Sequence, residues 1–154
     1  MPAVDIPENH PLTQEIKAVE LGRGIVLKTL DELILKYGQD FKNTQFEIEA
    51  FANMIIAQQV IFSVLRRTLQ LDPAYPRRDV VVSILKVSVL RNLETIISNA
   101  KLILRHILSE KERASKLSKL DQTISELAYH ADVIAEQKHV FQLLLKRGSY
   151  PLND

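Results

Sequence analysis

The chain has no cysteine and no tryptophan, only 4 glycines, and aromatic residues make up just 6% of it. Without thiols there is no disulfide framework, no thiolate metal site and no cysteine nucleophile, and a reducing compartment is the better fit. No apolar stretch approaches the ~20 uninterrupted residues of a membrane-spanning helix, and "MPAVDIPENHPLTQ" has no basic region leading into an apolar core, so a cytoplasmic protein without a membrane segment is expected. Charge of neither sign dominates. The 20 Lys and Arg against 19 Asp and Glu leave a net +1, which speaks against a general nucleic-acid binder, whose phosphate contacts call for a basic domain.

Catalytic and cofactor motifs are missing as well. "GRG" at 22–24 lies within a helical pattern and lacks the strand, helix and spacing of a phosphate loop. Neither a Gly-x-Ser-x-Gly elbow nor a His-Glu-x-x-His pair occurs, and no nucleophile, base and orienter can be assembled, so neither an enzyme nor a bound cofactor is expected. "EQKH" at 136–139 has the Glu-x-x-His spacing of di-metal helical bundles, but those sites need a second copy and further glutamates that this chain lacks. No metal is expected there.

What the sequence does hold is helical periodicity. With 46% hydrophobic and 25% charged residues over 154 positions, it is sized for one domain, residues 1–154, with a core of its own. Apolar spacings of three and four divide it into four segments, about 11–37, 44–70, 76–109 and 116–147, which predict an all-α, up-down-up-down antiparallel four-helix bundle. Gly38 suits the end of the first helix, Thr44 and Glu47 have capping-box spacing for the second, and Pro76 suits a first helical position in the third. The polar "SEKERASKLSK" is expected to hold the last turn, Gly148 to end the fourth helix, and "SYPLND" to form a loose tail.

Three features go beyond architecture. Helical-wheel projection puts Arg23 within the first helix's apolar stripe, at a height shared with Gln58, Glu136 and Lys138, which predicts a polar layer inside the bundle. The third helix carries a second apolar line, Val80, Ile84 and Val87, leading on to Arg91, and the second helix a smaller version in Ile56 and Val60; these are candidate contact faces. Finally, "LRRTLQLDPAYPRRD" sets Arg66 and Arg67 before a turn and Arg77 and Arg78 after it, at the end that also holds Lys146 and Arg147. Helix polarity accounts for the first pair but not for the second, which sits where a helix N-terminus favours anions.

The expected function is therefore a non-enzymatic interaction or adaptor protein, self-associating and binding a protein partner through the third helix and the basic end. A second reading uses the four arginines for a nucleic acid or anionic ligand, and a third places a small ligand at Arg23 and Gln58.

Overall fold

The computed structural model describes residues 10–127 and 129–147. Among them lie α1 (Thr13–Tyr37), a 3-10 turn (Gly38–Asn43), α2 (Gln45–Gln70), α3 (Arg78–Ile107), α4 (Glu110–Leu127) and α5 (Val133–Arg147), with no strand. The all-α class is as expected. The helix count is not: five helices stand where an even four-helix bundle was expected, because the segment anticipated over 116–147 is two helices with an earlier start. Gly148, the tail beyond it and residues 1–9 lie outside the described residues.

Both departures have local causes. "SEKERASKLSK" is not a turn but the opening of α4, because Ser109 and Glu112 form the capping pair: the Ser109 hydroxyl donates to the Glu112 carboxylate at 2.6 Å, and the Arg113 N–H reaches the Ser109 carbonyl at 2.9 Å. The Ser109 hydroxyl, and after it the Ser109 N–H at 3.4 Å, hold the Glu112 carboxyl below its usual range. The reversal from α3 is left to Leu108 and Ser109 alone. At the other break, the Asp132 side chain accepts the Ala135 N–H at 3.0 Å and its carbonyl accepts the Glu136 N–H at 3.0 Å, so α5 begins afresh. The expected capping pair at Thr44 and Glu47 does not form. Thr44 donates to the Phe41 carbonyl, while Glu47 accepts from the Tyr37 hydroxyl at 2.7 Å and pairs with His106. Gly38 does end α1, at φ 54°, with its N–H on the Ile34 carbonyl.

α3 packs against each of the other four helices, and α1 also meets α2 and α4. α4 runs back along α1: Lys116 near its start pairs with Glu32 at 2.6 Å, and Tyr129 just past its end lies against Glu15 in the first turn of α1. The core is made by α1, α2 and α3, with Leu33, Met54, Ile61, Leu85, Val89, Ile96 and Ile103 excluded from solvent. α4 has no buried residue; Leu117, Leu120, Ile124 and Leu127 are only partly covered. Since full burial of such a side chain is worth about 1.5–3 kcal/mol, α4 is held much less firmly than α3.

On α2 and α3 large apolar residues at intervals of three and four face inward, Met54, Ile61 and Leu65 on one and Leu85, Val89, Leu93 and Ile96 on the other, but α1 is rotated from its expected orientation. Its buried face runs through Glu15, Ala18, Gly22, Ile25, Thr29 and Leu33, leaving Ile34 exposed. Small residues explain the rotation, because they let the helices close together. Gln58 of α2 donates its amide to the Val19 carbonyl at 3.1 Å, and its Oε1 rests against Gly22, where an added Cβ would come within 2.5 Å. Only glycine fits there without moving Gln58.

Candidate functional site

The four arginines are not one site. In the loop between α2 and α3, Asp72 accepts the Ala74 N–H at 2.7 Å through its side chain and the Tyr75 N–H at 2.9 Å through its carbonyl, an Asx turn. Arg78 folds back to donate to the Leu71 carbonyl at 2.8 Å, and Arg77 is only 7% exposed and engaged within the chain. Both are built into the loop rather than held open at a helix N-terminus. Arg66 and Arg67 are exposed, beside a shallow 460 Å³ cleft with Gln59, Phe62, Ser63 and Gln70. Of the other charges expected at this end, Lys146 is exposed, while the Arg147 side chain lies outside the described residues.

The second apolar line of α3 is not an outer face. Val80 is 2% exposed, and Ile84 and Val87 are half-buried where α5 lies across them, forming one wall of a 630 Å³ groove whose other wall includes Ile134, Val140 and Phe141. A helix with two apolar lines needs two layers of neighbours, and α5 is the second. Arg91, further along, is exposed.

α5 is held on α3 by a polar cluster. The Ser83 hydroxyl donates to one Glu136 oxygen, Lys86 donates to the other at 2.8 Å, and His139 places Nδ1 at 3.0 Å from the Ser83 oxygen and Nε2 at 3.2 Å from the Asp79 carboxylate. Burial pushes the Glu136 carboxyl up, but the hydrogen bonds from Lys86 and Ser83 and the nearby charges of Lys86 and His139 outweigh it, so its pKa lies below the ordinary range. Glu-x-x-His spacing thus puts both side chains on one face, as read from sequence, and that face meets a serine. Among the described residues no group of His, Asp and Glu converges to hold a metal. Nor does Ser83–His139–Asp79 suit acyl transfer. Ser83 is 3% exposed, its proton is committed to Glu136, and its mid-helix surroundings leave no spare N–H donors for an oxyanion. The arrangement clamps two helices.

The anticipated polar layer is dispersed. Arg23 sits on the flank of α1, paired with Glu20 at 2.6 Å, since the rotation of α1 turns it away from the core. Gln58 is buried at the Gly22 crossing, Glu136 belongs to the clamp, and Lys138 is exposed. Sequence reasoning missed Ser83, Lys86 and Asp79, for which the available signal was a small polar residue between Val80 and Val87.

Beside the clamp, Tyr129 and Glu15 help line a 370 Å³ polar cleft with Lys86, Asp132 and Glu136. Burial, reinforced by the Glu15 charge, raises the Tyr129 pKa far above its ordinary 10.0, and the hydrogen bond to Glu47 raises that of Tyr37. A pKa raised by folding gives stability that is intact below the unfolded value and lost as pH climbs toward the folded one. Denaturant midpoints should therefore hold through neutral pH and fall above about pH 10, and Tyr129→Phe should flatten that alkaline loss. An alkaline slope identical in wild type and Tyr129→Phe would show that Tyr129 is not its source.

Several apolar side chains stay open. On α2 these are Phe46, Ile55, Ile56 and Val60, with Ile56 61% exposed, and on α5 they are Ile134, Phe141 and Leu145. No protein-family model matches the chain, and no curated protein or solved structure matches it significantly.

Proposed function

We propose that the protein is a non-enzymatic interaction module that self-associates through the outer face of α2. The observation that carries this reading is the open apolar surface of that helix. α2 buries Met54, Ile61 and Leu65 against α1 and α3, yet leaves Ile55, Ile56 and Val60 in solvent on its other side. Contiguous apolar surface edged by Arg66, Arg67 and Glu49 has the makeup of an interface. This moves the contact from the third helix, where α5 occupies the apolar line, to the smaller line on the second.

α2 is also long and apolar enough to cross a membrane by length and composition, with 39% of its most apolar window buried. Its packed inner side is that of a core helix, and the apolar surplus lies outward where another chain can meet it. Sedimentation velocity over a concentration series, without lipid or detergent, should show the wild type shifting to a larger species. Ile56→Asp combined with Val60→Asp, both at exposed positions, should remain monomeric with unchanged helical circular dichroism. A wild type that stays monomeric at every concentration would sink the proposal.

A further inference from the structure

The order of residues along the outer stripe of α2 specifies how a second copy would sit on it. Glu49, Ile56, Val60 and Arg67 follow one another at intervals of seven, four and seven residues. At 3.6 residues per turn the four fall within about 40° of one another, on a stripe roughly 27 Å long. All four are exposed. Neither Glu49 nor Arg67 has an opposite charge to pair with among the described residues, in contrast to Glu20, Glu32 and Glu136, each of which has one.

The stripe is symmetric about position 58. Ile56 and Val60 lie two residues to either side of it, and Glu49 and Arg67 lie nine to either side. An antiparallel copy with its two-fold axis at that height brings Ile56 against Val60 of the second copy and Glu49 against Arg67 of the second copy, each contact occurring twice. Exposed Asn53 meets exposed Ser63 by the same rule. A parallel copy instead puts Glu49 beside Glu49 and Arg67 beside Arg67, which like-charge repulsion opposes. An isologous interface requires a self-complementary surface, and this stripe is self-complementary in one orientation only.

Resting on the self-association proposed above, we infer that two copies pair through an antiparallel α2–α2 contact centred outside position 58, with apolar pairs at the middle and Glu49–Arg67 ion pairs at both ends. A single helix pair is a small interface, so the dimer belongs with the weak, reversible class.

The absence of cysteine makes the register testable. Ile56→Cys and Val60→Cys each introduce a single thiol at an exposed position. Mixed under mild oxidation, they should form a disulfide-linked heterodimer well ahead of either homodimer, because position 56 faces position 60 of the other copy. Charge reversal gives a second readout by sedimentation. Glu49→Arg alone should weaken the dimer about tenfold, since two ion pairs become repulsive, and adding Arg67→Glu should restore it. Preferential 56–56 and 60–60 disulfides would establish a parallel pairing and overturn the inference. So would a wild type that dimerises while its Ile56→Cys and Val60→Cys variants fail to cross-link and Glu49→Arg leaves the dimer unchanged, and in that case self-association itself would stand. A wild type that never dimerises removes both.

Discussion

Replacing Ile96 with alanine is expected to cost about 2–5 kcal/mol of folding stability, toward the upper part of that range. Ile96 is fully buried, and its Cδ1 lies 3.2 Å from where a Cβ on Gly22 would be, with the Ile61 Cδ1 close by at 3.5 Å, so it fills the point where α1, α2 and α3 cross. The price of a large-to-small change depends on how far the surroundings can relax into the space. Here the nearest surface on α1 is glycine backbone, which has no side chain to swing inward, and Gln58 is tethered to the Val19 carbonyl. The cavity should persist. Urea unfolding would read the loss as a lower midpoint with an unchanged slope. Leu102→Ala, at a site 59% exposed, is the control and should change stability little. An Ile96→Ala loss below about 1 kcal/mol would mean that the three helices close over the gap.

The second large effect concerns α5. Glu136→Ala should weaken its docking by about 1–3 kcal/mol, because it removes the acceptor for both Ser83 and Lys86 and leaves Lys86 half-covered without its partner. Among the described helices α5 packs on α3 alone, so the loss should be local: amides of residues 133–147 exchange faster while those of α3 beyond Leu93 change little. Acid should mimic the substitution. The folded-state pKa of Glu136 lies below the ordinary 4.5, so its contribution is present above that value and disappears as pH falls through the lowered one. Faster exchange in α5 below about pH 4.5, absent from Glu136→Ala, is the expected pattern. Uniform exchange changes across all five helices would instead show that α5 unfolds only with the whole domain.

These residues also show how much of the molecule the sequence discloses. The inward faces of α2 and α3 were legible because large apolar residues recur along them at intervals of three and four. α1 was misjudged by a rotation: Arg23 was placed in its apolar stripe, whereas its buried side is built from Ala18, Gly22 and Thr29, which a wheel weighted by hydrophobicity ranks low. The α4–α5 break hangs on Asp132, a single capping residue without the Gly or Pro that normally marks a stop. Arg78 looked like an open cation because its partner is the Leu71 backbone carbonyl, which no side-chain pattern announces. Ile56 and Val60 are visible in the sequence as apolar surplus, whereas the covering of the rival line on α3 by α5 is not.

Gly22 and Gln58 also constrain each other. A residue larger than glycine at 22 collides with the amide at 58, and a shorter residue at 58 leaves a void beside a helix that cannot fill it. Thirty-six residues apart, the two positions share one contact, so the effects of Gly22→Ala and Gln58→Ala should not add: the double change is expected to cost less stability than the two single changes summed.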